Sequence, residues 1–465
     1  MWMRIKKREA QGPRRWAQGA EGEAQSAVRR EYAPQYPGKI NRWIRWAGIF
    51  TLLVWCCPSV WADPLKLQDL IEEALRNNPE LGASQAGVQA AGHKIPQAGS
   101  LPDPMIMLGY QNEGYNTYNF GESPDAQWMV SVSQMFPFYG KRELKAEMAG
   151  RDAESMKNVY RTLRLKTISK VKELYSDLFL SYKNLDLLQE KGGLLRQVEE
   201  AALARYASGM APQQEVVMAQ TEKYMLLERQ EMANQKIQST EGMLNAAVGR
   251  DVRSPLSRPA EVSPTPCLPS LDDLLLQSKD QSTELKAKAQ MVEGTEAKIK
   301  MAQKEYYPDF TLGANLFKRA GIYQDMWSLT ATVNIPLFYR DKQRQGVLEA
   351  EAAKRQAQKE LQATEIMLAS SLRENYSMIR SGEKLMKLYQ EGLLPKARQD
   401  IQLSLSGYVT GKVEAITVIS RLKTLLDIEL LYWSQMVERE KAIARLEPLT
   451  GSTEIPTHDE KNEKK

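Results

Sequence analysis

The sequence predicts a mainly α chain with a small β part, written twice from one helix–strand–strand–long helix–turn–helix unit. Three observations carry that prediction. First, Gln127–Arg142 (QWMVSVSQMFPFYGKR) and Met326–Arg344 (MWSLTATVNIPLFYRDKQR) share one design: alternating strand, proline, aromatic pair, basic residue. In the first, Trp128, Val130 and Val132 oppose Ser131 and Ser133; in the second, Trp327, Leu329, Ala331, Val333 and Ile335 oppose Ser328, Thr330, Thr332 and Asn334. Period two over about ten residues is a strand with one apolar and one polar face. Second, each strand feeds a very long helical pattern. Third, landmarks in the second half repeat those of the first at offsets of 202 to 204 residues. A fixed period over so many landmarks is a tandem duplication.

The chain has 465 residues and a formal charge of +5. Residues 1–62 hold 11 Lys+Arg and 4 Asp+Glu, a net of +7, so the remainder carries −2. A nearly neutral body argues against a nucleic-acid partner. Residues 1–62 read as a signal peptide with an extended N-terminal region. Lys39, Arg42 and Arg45 precede the apolar run Trp46–Cys57, and Val60 and Ala62 occupy the small-residue positions of a cleavage site after Ala62. A second reading makes Cys56 the lipid-bearing residue of a lipoprotein signal. After cleavage only Cys267 remains, which leaves no internal disulfide. No later segment reaches the 18 apolar residues of a membrane-crossing helix.

The first unit spans 63–250. Residues 65–98 read as a helix with a break near Asn78, imposed by Pro79, and a stop at Pro96. Leu101–Pro104 turns the chain into a strand at about 105–112; a polar, aromatic loop follows, then the strand at 127–136. From Glu143 to Tyr206 no proline appears, enough for a helix of roughly 96 Å at 1.5 Å per residue. Ile168, Val171, Tyr175, Leu178, Tyr182 and Leu185 step as a coiled-coil seam. Gly192-Gly193 is the one soft point. Gly209 stops the helix by supplying positive φ, and Pro212 opens the next, which runs to about Val248.

Residues 251–270 hold five prolines and no periodicity, and read as a linker. The second unit then spans 271–451. Its strands fall at about 309–317 and 327–336, and its long helix at 343–406, interrupted at Leu394-Pro395. Tyr408 and Gly411 stand 202 residues after Tyr206 and Gly209. The polar tail 452–465 reads as disordered.

Four strands with one apolar face leave two open edges. In lipid an open edge is not tolerated, so the strands are expected to close with those of other copies, in contact with outer-membrane lipid. Both helical hairpins then hang from one side of the closed sheet. Trp128 and Trp327, near one strand end, are placed as interfacial anchors. The inferred function is a conduit.

These residues resemble the TolC-like outer-membrane efflux proteins over about residues 65–450. The resemblance rests on the duplication, the strand–proline–helix junctions, the turns YASGMAPQQEVVMAQ and YVTGKVEAITVIS, and the break at Leu393–Ala397. LPDPM at 101–105 is similar to the heavy-metal, CusC/CzcC-like branch. The resemblance implies a homotrimer with a 12-stranded β-barrel continuing into a long α-helical barrel. It implies docking to a periplasmic adaptor and an inner-membrane pump, of the resistance-nodulation-division type. It also implies a gate and adaptor contacts at the turns Tyr206–Pro212 and Tyr408–Lys412, with Gly209 and Gly411 in them. Glu215 stands at the family's gate acid and Tyr408 at its gate tyrosine. The family's basic partner falls on Val413, and Lys412 beside it is expected to bond Glu215. The family's constricting aspartates fall on Thr417 and Ser420, a departure that removes an acidic ring.

Enzymatic readings find little support. There are two histidines, His93 and His458, and none of the metalloprotease, P-loop or serine-hydrolase signatures. No cofactor or metal site is expected; the 20 methionines fall mostly at helix-core spacing. The alternative function is a periplasmic coiled-coil adaptor or a lipoprotein scaffold without a pore. It accounts for the hairpins but not for the strands.

Overall fold

A computed structural model of the protein describes residues 64–266 and 269–452. The expected signal region, Cys267, His458 and all but Ser452 of the tail lie outside the described residues. The element order is α1 (Leu67–Asn77), α2 (Pro79–Gly99), β1 (Met105–Gln111), β2 (Gln127–Phe136), α3 (Lys141–Ala207) and α4 (Gln213–Val248). It continues as α5 (Leu271–Gln281), α6 (Thr283–Lys304), β3 (Asp309–Lys318), β4 (Met326–Asn334), α7 (Gln343–Leu388), a π-helical turn (Tyr389–Leu393), α8 (Leu394–Val409) and α9 (Ala415–Thr450). The break near Asn78 is present: its side chain accepts from the backbone N–H of Glu80 and Leu81, a cap at the start of α2. Pro96 does not stop α2, which continues to Gly99. So close to the helix end, the missing proline N–H removes a single bond.

The four strands form one antiparallel sheet in the order β1-β2-β3-β4. β2 pairs with β3, Val132 opposite Ala314, so the sheet joins the two repeats. β4 ends at Asn334, short of the expected 336, because Ile335 and the donor-less Pro336 leave the ladder. The register aligns Leu108, Val130, Leu316 and Trp327 in one row across the sheet. That apolar face is the open one: Leu108 is 73% exposed, Leu329 75% and Trp327 71%, whereas Ser131 on the opposite face is buried. Among the described residues the outer strands β1 and β4 each leave one edge unpaired.

α3 is one unbroken helix of 67 residues, about 100 Å long. Ile168, Val171, Tyr175 and Leu178 are buried as the seam predicts, against Leu70 and Ile71 of α1 and Ile237, Leu244 and Val248 of α4. Gly192-Gly193 is not a break. α3 runs through it, and a Cβ at Gly192 would sit 3.3 Å from the Leu226 methyl, so this glycine admits α4 closely. After a turn at Asp251–Ser254, the segment to 266 lies against the helices, Leu65 bridging Pro259 in parallel and Thr265 donating to Glu440.

The offsets of 202 to 204 do not cover the upper part of the long helices. Buried positions along the upper part of α3 and α7 match at 201: Ala149 with Ala350, Val171 with Leu372, Leu178 with Ile379. At the turns the match is 202, Gly209 with Gly411. The π turn at Tyr389–Leu393 lies between and absorbs the extra residue. One inserted residue would otherwise rotate everything below by about 100°.

At the junction of sheet and helices, Lys141 is buried and sends its ammonium to Asp309 at 2.9 Å and to the Tyr307 carbonyl at 3.2 Å. The Phe138 N–H donates to the same Asp309 carboxylate at 2.8 Å, and the Phe138 and Tyr307 rings stack 4.5 Å apart. In the first repeat the aromatic-then-basic signature is therefore a clamp onto the second.

Candidate gate at the helical turns

Each long hairpin ends in the same turn. Gly209 has φ +72° and Gly411 φ +75°, left-handed values that glycine adopts freely. Met210 N–H donates to the Arg205 carbonyl at 2.8 Å, and Lys412 N–H to the Gly407 carbonyl at 2.8 Å. These are Schellman closures, which bond the last free carbonyls of α3 and α8. Pro212 then stands at the N-cap position of α4 and Glu414 at that of α9, neither with a side-chain capping bond. Tyr206 and Tyr408 occupy equivalent places but meet different surroundings: Tyr206 is 44% exposed and Tyr408 1%.

Tyr408 is enclosed by a core to which both hairpins contribute, including Val198 and Ala202 of α3, Val216 and Ala219 of α4, and Ala415 and Val418 of α9. Its hydroxyl donates to Glu215 at 3.1 Å, and Glu215 is itself buried. Burial, then the hydrogen bond and charge of Glu215, push the Tyr408 phenol up to about 12; Arg205 acts weakly the other way. The Arg205 guanidinium donates to the Tyr408 carbonyl at 2.7 Å and lies over the ring, 4.7 Å from its centre.

The structure thus brings Glu215 and Tyr408 together, as expected, but not Glu215 and Lys412. Lys412 is exposed, and within the chain the carboxylate faces the tyrosine hydroxyl instead. The reason is depth: Glu215 points into the core between hairpins, while Lys412 follows the left-handed Gly411 on the rim. Arg205 escaped the sequence reading. Its only signal is its place, one residue before Tyr206 in the repeat whose tyrosine is exposed. Thr417 is half-buried and Ser420 exposed, on the first turns of α9. Trp128 and Trp327 lie on the apolar sheet face at the end away from α3 and α7, with Tyr110 beside Trp128 at 5.0 Å. Ala62 lies outside the described residues. Among the described residues no group of three or more His, Cys, Asp or Glu side chains is placed to hold a metal ion. No described helix is long and apolar enough to cross a membrane.

Comparison with known proteins gives three findings. The family model described as outer membrane efflux protein matches residues 70–250 and 274–447, one stretch per repeat. The nickel-cobalt-cadmium resistance protein NccC of Alcaligenes xylosoxydans xylosoxydans is 23% identical over 325 residues, 64% of this chain and 70% of that protein. Among solved structures, the outer membrane protein VceC of Vibrio cholerae aligns with TM-score 0.70 at 18% identity, covering 83% of this chain and 96% of that one. CusC, described as forming a transmembrane channel, aligns with TM-score 0.71 at 15% identity over 84% and 93%. The CmeC outer membrane channel of Campylobacter jejuni aligns with TM-score 0.70 at 14% identity over 86% and 88%.

Proposed function

The chain belongs to the outer membrane efflux protein family, a family of transport channels rather than enzymes, and from that premise we propose that it is the exit duct of a tripartite efflux system. Three copies close their four-stranded sheets into a 12-stranded barrel in the outer membrane. The hairpins α3–α4 and α7–α9 extend the barrel as a helical tube in the periplasm. Substrate passes down its gradient once the turn end docks on a periplasmic adaptor and an inner-membrane pump of the resistance-nodulation-division type. The cargo class is divalent transition-metal ions, supported by the kinship with a nickel-cobalt-cadmium resistance protein and by LPDPM at 101–105.

The observation that carries the conduit is the sheet. Its apolar face is open, while on the other face of β2 and β3 Ser131 is buried and Ser133, Thr311 and Asn315 are half-buried, the reverse of a sheet packed on a core. Water gives that face no partner; lipid does, and an edge left open in lipid demands closure. An adaptor or a pore-less scaffold has no use for such a sheet. The Tyr408–Glu215–Arg205 cluster is the resting latch of the tube, with Thr417 and Ser420 facing the constriction. The test is single-channel conductance of the mature chain in a planar bilayer, with mass measured on the same sample. A trimer with a small resting conductance supports the reading; a monomer that conducts nothing refutes it.

A further inference from the structure

The four strands carry five of the chain's 20 methionines: Met105, Met107, Met129, Met135 and Met326. Successive side chains of a strand point to opposite faces, so the pairing register assigns each residue to one face. All five fall on the face of Ser131, whereas every Ile, Leu and Val of the four strands falls on the open apolar face. A methionine that serves only as apolar filler has no reason to avoid the aliphatic face. The five also spread row by row. Met135 stands opposite Thr311, Met105 opposite Ser133 and Met107 opposite Ser131, while Met129 and Met326 flank Phe317. Four successive rows, about 7 Å apart, each present a thioether. The Met129 side chain turns toward β1, where a Cβ at Gly109 would sit 3.3 Å from its methyl carbon. Gly109 lies two residues beyond Met107, so Met105, Met107 and the end of Met129 form one line along β1. Met105 is 66% exposed and Met107 51%, open to the space in front of this face. Among the described residues these four rows hold no charged side chain. Asp309, one row further on, is taken by Lys141 at 2.9 Å.

We propose that this face is a thioether track that takes up a soft monovalent cation, copper(I) or silver(I), and passes it from row to row. The track rests on the reading that the face of Ser131 lines the lumen of the closed barrel, and it adds a cargo beyond the divalent ions named above. Thioether sulfur is a soft, uncharged ligand that suits copper(I), whereas hard divalent ions take carboxylate, carbonyl or water oxygens. The four rows offer hydroxyls, at Ser131, Ser133, Thr311 and Thr330, but no carboxylate or imidazole to fix a divalent ion in place. Each row gives only one or two sulfurs per copy. Such spaced, weak stations suit conduction, because an ion must leave each site as readily as it enters. Met107 and Met129 are diagonal neighbours across the β1–β2 ladder, a separation that long side chains bridge. With Met105 beside them they form the tightest station. No proton competes for a thioether near neutral pH, so uptake there does not depend on pH, as it does at an imidazole or thiolate site.

Silver binding tests this in the mature chain with Cys267→Ser, which removes the thiol. The purified protein in detergent is dialysed against silver nitrate in chloride-free buffer, and bound silver is measured. About one ion per chain is expected at the station of three sulfurs, equally at pH about 5.5 and about 7.5. Met105→Leu, Met107→Leu and Met129→Leu together conserve volume and apolarity, and are expected to lose that ion. The control Met225→Leu, Met232→Leu and Met243→Leu, at exposed methionines of α4, is expected to keep it. In protein carrying all its methionines, labelled with carbon-13 at the ε-methyl, silver is expected to move the signals of Met105, Met107 and Met129 and leave that of Met225 in place. Equal silver uptake by the two triple variants, or methyl shifts at helical methionines alone, overturns the track whether or not the sample conducts. Silver lost only with the sheet triple, in a sample that conducts nothing in a planar bilayer, keeps the site and removes the conduit.

Discussion

The Tyr408 hydroxyl donates to the Glu215 carboxylate across the two hairpins, 193 residues apart in sequence and 3.1 Å apart in space, with both side chains withdrawn from water. A charge-assisted bond in such a place is strong when made and expensive to leave half-made. It locks α8 of the second repeat onto α4 of the first at the end of both hairpins.

Tyr408→Phe removes the hydroxyl and leaves a buried carboxylate without it, a loss of about 2 kcal/mol from the closed arrangement. An energy of that size moves a two-state gate by about 30-fold. Resting conductance in a planar bilayer is expected to rise steeply in Y408F and in Glu215→Ala. Equal conductance in wild type and both variants removes these residues from the gate.

The same bond has a pH dependence with a definite sign. The folded Tyr408 phenol sits near 12, above its ordinary value near 10, so the folded state keeps its proton longer than the unfolded state. The stabilisation is fully present below pH about 10 and is lost as pH rises through about 12. Wild-type resting conductance is expected to stay flat up to pH about 10 and climb beyond it. Y408F should lack that climb.

Arg205→Ala loses both the bond to the Tyr408 carbonyl and the contact over its ring, together about 1–2 kcal/mol. Arg205→Lys keeps the charge but not the planar fork, and is expected to fall closer to alanine than to wild type. Conductance of the two variants, measured side by side, checks the order.

The glycines at helix ends divide into two classes under substitution by alanine. A Cβ at Gly209 or Gly411 meets nothing within 4 Å, so G209A pays only for positive φ, about 1 kcal/mol. A Cβ at Gly249 would sit 2.5 Å from the Asn77 carbonyl oxygen, and at Gly451 2.3 Å from that of Gln281. Thermal denaturation is expected to show a small shift for G209A and G411A, and a much larger loss for G249A and G451A.

Deleting Gln390 from the π turn should leave a continuous α-helix from α7 into α8, with registers above and below intact and a thermal midpoint near wild type. Deleting Ala369 in α7 instead rotates all below it by about 100° and is expected to prevent folding. Similar outcomes for both deletions refute the insertion account.

The sequence by itself determined the repeat, the four strands and their apolar face, the two long helices and the glycine turns. Each of these is set by short-range rules: period two or 3.6, the missing proline donor, positive φ at Gly209 and Gly411. Two readings went wrong because the deciding contact is not local. Gly192-Gly193 read as a soft point, yet α3 runs through it unbroken and Gly192 is small because α4 crosses there. Lys412 looked like the partner of Glu215 because it adjoins the expected position, yet the carboxylate faces inward. Only the tertiary structure decided that Arg205 serves the other repeat's tyrosine, that Lys141 clamps Asp309, and that the offset slips from 201 to 202 at the π turn. Side chains from opposite halves of the chain meet at these places, and a duplicated sequence does not say which of its two copies will supply the partner.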